Sequence, residues 1–134
     1  MPTLLQNGGL VPLWAGWTLD LPPCNYDRNA DGSWSAWASD WVIDITIIEV
    51  GGDSTGQPVS PEKMLGTGRL ATISGSGWIG ATETILGEDQ GRPVYRLTAW
   101  LAATNTMMSA WVSYFTEDKR ELSERLIALV SHES

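Results

Sequence analysis

A chain of 134 residues, 43% of them hydrophobic and 18% charged, has the length and apolar content of one domain, spanning residues 1–134, that folds without staples. Its formal net charge of −8 and its scattered basic residues, of which only Lys119 and Arg120 adjoin, exclude a phosphate-tracking stripe, so neither nucleic acid nor an anionic membrane surface is expected as a partner. No run reaches the roughly 18 apolar residues of a membrane-spanning helix.

Residues 1 to 13 read as an irregular lead-in. The opening has no basic start and its apolar residues are broken by Asn7, Gly8, Gly9 and Pro12, which is unlike a secretory signal and makes the expected location cytoplasmic. Trp17, Leu19 and Leu21 alternate with Thr18 and Asp20 as in a strand, and Pro22 and Pro23 end it. Cys24 is the only cysteine. With no internal disulfide open to it and no His nearby, it is expected to be an ordinary packed or surface thiol. Cys24 to Ser33 reads as turn-rich, with Asp31-Gly32 marking a hairpin or tight loop. Trp34, Trp37 and Trp41 have the spacing of a short helix, yet Ser33 to Ser39 reads equally as an edge strand.

Trp41 to Val50 is the clearest strand, with Trp41, Ile43, Ile45 and Ile47 on the expected core face. A surface loop follows, and Ser60-Pro61-Glu62 gives a cap with proline in the first turn of a helix that Gly66 and Gly68 hold to about two turns. Arg69 to Ile73 admits either strand or helix. Trp78 to Leu86 is a strand, GEDQGRP a turn, and Val94–Ala103 and Thr106–Phe115 are two strands around a tight turn at Thr104 and Asn105. Such short connections predict a predominantly antiparallel sheet. From Thr116 to Val130, Leu122, Leu126, Leu129 and Val130 share one face of an amphipathic helix, with Ile127 at its margin. One apolar face needs one apolar partner, so the helix is expected to lie across the sheet in an α+β domain.

The motifs that carry chemistry are few. Gly75-Ser76-Gly77-Trp78-Ile79-Gly80 matches a dinucleotide-binding string, but a strand rather than a helix follows it, so these glycines are expected to serve a turn, a bulge or close packing. Asp27, Asn29 and Asp31, followed by Gly32, alternate as in the first half of a calcium loop, although the twelfth position is Ala38. Calcium at these three residues, with Asp40 or a distant acid completing the site, is one candidate; a polar loop closed by the Asp-Gly turn is the other. Eight tryptophans exceed what so small a core hides completely. One or two are expected at the surface, with Trp34 and Trp37 as the partner-binding pair. Trp100 and Trp111 are expected to face each other across their hairpin. His132 falls in a tail past the helix, and the strand carboxylates Asp44 and Glu83 are the one candidate acid and base pair.

WTLDLPP, WVIDITIIEV, SGSGWIGATET and YRLTAWLAATNTMMSAWVSYF, followed by the closing helix, resemble the PsbP-like group, which includes the Ran-binding import factor (Mog-type) and DcrB-like proteins. The resemblance implies an α/β/α sandwich with a predominantly antiparallel sheet, and a mostly non-catalytic binder of protein partners. It supplies no binding residue. The leading expectation is therefore an adaptor with an unidentified protein partner; a ligand or calcium binder at residues 27–40 and a small enzyme using strand carboxylates are the alternatives. An exposed edge strand makes a homodimer a further expectation.

Overall fold

Period-two alternation of apolar and polar residues runs through most of this chain, and sheet is what such alternation builds. The structure, a computed structural model, describes every residue except 1, 67 and 134. Six strands come first: β1 (Thr3–Leu5), β2 (Gly9–Pro12), β3 (Trp17–Leu21), β4 (Cys24–Arg28), β5 (Trp34–Ala38) and β6 (Trp41–Glu49). The short helix α1 (Pro61–Leu65) leads to β7 (Ile73–Gly75), β8 (Trp78–Asp89), β9 (Arg92–Ala103) and β10 (Thr106–Tyr114), and the chain closes with α2 (Arg120–Ala128) and β11 (Ser131–His132). An eight-stranded antiparallel sheet runs β1-β4-β5-β6-β10-β9-β8-β7, and a three-stranded one runs β11-β3-β2. The class is α+β.

The expected core face of β6 is the observed one: Trp41, Ile43 and Ile45 are buried while Asp44, Thr46 and Ile48 are exposed. Pairing carries that face across the sheet to Met108, Ala110, Val112 and Tyr114 of β10 and to Leu97, Ala99 and Leu101 of β9, all buried. Over it lie Val11, Trp17, Leu19 and Leu21 from the small sheet together with Leu126, Ile127 and Val130. A fully buried Leu or Ile side chain stabilises by about 1.5–3 kcal/mol relative to exposure, so this one contiguous core dominates the fold. On the opposite face α1 packs against the β8, β9 and β10 end, where its Leu65 is buried. Ser60 caps α1 as expected, its hydroxyl accepting from the Lys63 N–H at 3.3 Å.

Six expectations change, five of them in the kind or bounds of elements. Residues 1–13, of which residue 1 lies outside those described, contain β1 and β2 rather than an irregular lead-in. Cys24 to Arg28 is a strand, because β1 and β5 pair with it on both sides. β5 lies inside the sheet between β4 and β6, which rules out both the helix and the edge strand. β8 and β9 run on to Asp89 and from Arg92, leaving Gln90 and Gly91, at φ 52° and 79°, as a two-residue turn in the type I′ manner. The closing helix starts at Arg120, after a 3₁₀ turn over Glu117–Lys119. Its buried residues are Ser123, Leu126 and Ile127. Ile127 therefore sits at the centre of the contact, and Leu129 is 44% exposed.

Nor does His132 lie in a loose tail. β11 pairs with β3, and the His132 ring packs against Trp17 at 4.7 Å between centroids. The Trp78 indole N–H donates to the Val130 carbonyl at 2.7 Å, and the His132 N–H to the Ser76 carbonyl at 2.9 Å. Gly77, at φ 85°, turns directly beneath this segment, where a Cβ would come within 2.1 Å of the His132 carbonyl oxygen. Gly75 and Gly80 likewise meet the Trp78 ring and the Trp100 carbonyl at 2.3 and 2.6 Å. The Gly-Ser-Gly string is thus a hairpin turn with close packing on both flanks.

Gly77→Ala should lose at least about 1–3 kcal/mol in urea unfolding, because it adds left-handed strain to a backbone clash. Thr106→Val tests a second tie. The Thr106 hydroxyl accepts from the Trp17 indole at 3.0 Å and donates to the Ile48 carbonyl at 2.8 Å. Its removal leaves the buried Trp17 indole N–H unpaired, while the Ile48 carbonyl keeps its ladder partner Met107, and should cost about 1–3 kcal/mol by the same measurement.

Candidate functional site

Strand periodicity separates the two tryptophans singled out in the sequence. Trp34 and Trp37 are three residues apart on β5 and so point to opposite faces. Trp34 stacks on Tyr26 at 6.3 Å and packs against the core. Trp37 lies on the less covered face, beside Val42 and Asn25. The two form no common surface. Trp14 and Trp111 are the tryptophans most open to solvent, at 55% and 51%. Trp14 stands at the β2–β3 turn, whereas Trp111 is at the middle of the large sheet, on the strand between β6 and β9. Its position was legible in the sequence: the even residues of β10 are Thr106, Met108, Ala110, Val112 and Tyr114, which leaves Trp111 outside between Ser109 and Ser113.

Register places two parallel rows on this outer face. One runs Asp27, Ser35, Asp44, Trp111, Thr98, Glu83, and the next Asn25, Trp37, Val42, Ser113, Arg96, Ile85. The Arg96 guanidinium lies 5.7 Å from the centre of the Trp111 ring. Nearby, Arg92 lies over Phe115 at 5.6 Å and Arg69 over Trp100 at 4.4 Å. Arginines thus lie over aromatic rings along the face of an otherwise acidic chain. Trp100 and Trp111 are diagonal neighbours there, Trp100 opposite Ser109 and Trp111 opposite Thr98, instead of facing each other. A groove of about 520 Å³ opens at the far end, lined by Ile85, Glu88, Val94, Arg96, Ser113 and Phe115.

Asp44 and Glu83 share the row but stand three strand spacings apart, roughly 14 Å. That exceeds the roughly 5–9.5 Å over which two carboxyl groups act on one bond. Asp44 accepts from the Ser35 hydroxyl at 2.7 Å. The candidate calcium ligands lie on one strand end and its turn, where the polar groups of Asn29 and Asp31 bond to Ser33 and Ser35. Asp27 is on β4 and faces the row, while Asn29 and Asp31 are in the β4–β5 turn. Asn29 donates its amide to the Ser33 and Ser35 hydroxyls, and the Asp31 carboxylate accepts from both the N–H and the hydroxyl of Ser33. Asp40 pairs instead with Lys119 at 3.1 Å. Among the described residues no three His, Cys, Asp or Glu side chains group as a metal site. Cys24 is buried, which raises its thiol pKa and leaves it a poor nucleophile.

No protein-family model matches the chain, and no curated protein matches it. A crystal structure of a protein from Bacteroides thetaiotaomicron VPI-5482 is similar in fold, with a TM-score of 0.70 at 12% identity over 97% of this chain and 50% of the other. This chain therefore spans about half the length of that protein, and the likeness is one of fold.

The hydrogen bonds from Ser33 hold Asp31 below the usual carboxylate range. A carboxyl group lowered in the folded state contributes stability above its unfolded pKa and loses it as pH falls through the folded value. The turn should therefore keep its amide protection through the ordinary carboxylate range and lose it only at lower pH, as an NMR pH titration would show. With that carboxylate bonded to Ser33, millimolar calcium should release no heat in calorimetry and leave the melting temperature unchanged; binding heat would instead establish the calcium site.

Proposed function

We propose that this domain is a protein-interaction module that receives its partner on the outer face of the large sheet, with Trp111 and Arg96 at the centre. The observation that carries the reading is a tryptophan half exposed on a central strand with an arginine laid over it. Trp and Arg are the residue types that most often dominate interface energies, because each combines a large contact area with directed donors. Trp37, Val42, Ile48 and Ile85 supply apolar area around the pair, and Asp44 and Glu83 a charged border. Trp34 belongs to the core edge in this reading and Trp37 to the rim.

The PsbP-like resemblance supports the same function, since that group consists mostly of non-catalytic partner-binders. Placement of α2 against one sheet face and α1 against the other supports the α/β/α layering it implies. A cytoplasmic setting belongs to the proposal, supported by a single buried thiol and no disulfide.

Affinity capture of the tagged protein from its native lysate, followed by mass spectrometry, tests the proposal. Wild type should retain a near-stoichiometric protein that Trp111→Ala loses without a change in melting temperature. A hot-spot truncation costs roughly 2 kcal/mol or more, near thirtyfold in affinity. Trp37→Ala should weaken capture less, and Trp34→Ala should act mainly through stability. Retention of the partner by Trp111→Ala would move the interface elsewhere, and the absence of any partner from the wild-type sample would overturn the module reading.

A further inference from the structure

The outer edge of β8 is open over most of its length. The two-residue turn at Gln90 and Gly91 makes Asp89 and Arg92 a hydrogen-bonded pair, so odd-numbered residues of β8 aim their N–H and C=O at β9 and even-numbered ones aim outward. Gly80 shows this parity, its carbonyl accepting from the Thr72 N–H at 2.8 Å on the outer side. β7 covers only Trp78–Gly80. Beyond it, Thr82, Thr84, Leu86 and Glu88 present backbone donors and acceptors to which no strand pairs among the described residues. Proline and lysine, two residues that blunt an edge, are missing from β8, and Ile85 and Leu86 on it are 51% and 64% exposed.

We infer that a second copy of this chain occupies that edge, β8 pairing antiparallel with β8 about a two-fold axis at Ile85. The charges select this register. Centred on Ile85, each Ile85 faces the same residue of the second copy, Thr84 faces Leu86, Glu83 faces Gly87 and Thr82 faces Glu88. No like charges oppose one another. Centring on Leu86 sets Glu83 against Asp89, which costs energy. Centring on Thr84 draws Glu88 toward Gly80, whose outward carbonyl Thr72 already holds. In the Ile85 register the outward groups of Thr82, Thr84, Leu86 and Glu88 all find partners. The second copy's Leu86 lands beside Thr84 at the mouth of a groove of about 460 Å³ beneath α2, lined in part by Trp78, Thr82, Leu97 and Ile127. An apolar side chain that is stranded in the single chain thus enters an apolar groove in the pair. Two chains of net charge −8 repel at long range, so added salt should tighten this dimer.

Sedimentation equilibrium of the full chain over a wide concentration range tests the inference. Wild type should show a dimer mass that strengthens with salt. Thr84→Pro removes an outward N–H and no bond of the β8–β9 ladder, and Ile85→Lys sets like charges at the axis; both should shift the mass to monomer. Cysteine at the axis reads the register without relying on either variant's fold. Residues facing each other in a non-hydrogen-bonded pair lie about 4.5 Å apart between Cα atoms, within disulfide reach. Ile85→Cys should therefore cross-link under mild oxidation, and Glu83→Cys, placed opposite Gly87, should not. A monomer at every concentration would overturn the inference and leave the edge to an added peptide strand. A dimer unaffected by Thr84→Pro and Ile85→Lys, or cross-linked equally through either cysteine, would overturn it too. Trp111→Ala should leave the mass unchanged, so this result stands apart from the fate of the outer-face interface.

Discussion

Beside the shared core, the closing segment Val130–Glu133 ties the two sheets together at one end. Its backbone pairs with β3 of the small sheet and, through Ser76, touches the β7–β8 turn of the large one. The Trp78 indole ties its carbonyl, and the Glu133 N–H reaches the Gly16 carbonyl at 2.9 Å. Only glycine fits at two places along this path. At Gly16 and Gly77 a Cβ would meet the carbonyl oxygens of Glu133 and His132 at 2.2 and 2.1 Å. The sequence holds its glycines where this segment passes, and with them the core between the sheets stays shut.

That closure leaves the two faces of the large sheet with different duties. The inner face spends its apolar residues on the small sheet and α2, with no buried side-chain polar atom unpaired among the described residues. The outer face has one short helix at one end and is otherwise a lattice of Trp, Val, Ile, Arg and acid side chains set at strand spacing. A rigid sheet beneath them fixes their positions before any partner arrives, which lowers the ordering cost of binding.

Where local pattern and tertiary demand agreed, the elements could be read in advance. β3, β6 and the β9–β10 hairpin alternate cleanly, and Ser60 caps α1 because hydroxyl, proline and acid occur in the required order. Elements set by their neighbours were hidden. Cys24–Arg28 carries Asn and Asp and reads as turn, yet strands on both sides hold it extended. Trp34 and Trp37 have helical spacing by coincidence, and the informative residues were the small Ala36 and Ala38 that pack at the core. Ser131 and His132 are too few to show any period. As for the outer site, Trp111 was legible through its polar neighbours Ser109 and Ser113. Arg92 and Arg96 over aromatic rings were not, since only the register of β9 on β10 brings those side chains together.

The pairing of His132 with Trp17 joins segments 115 residues apart in the chain, a contact of high loop-closure cost. β3 gains its second neighbour, and the Trp78 indole its acceptor, only when residues 130–132 are in place. Until then both indoles and the strands that carry them stay open to solvent, and the long-range pairings that close the sheets come last and slowly. Before that segment docks, the large sheet's inner face is the apolar surface left open, and its outer face is unaffected.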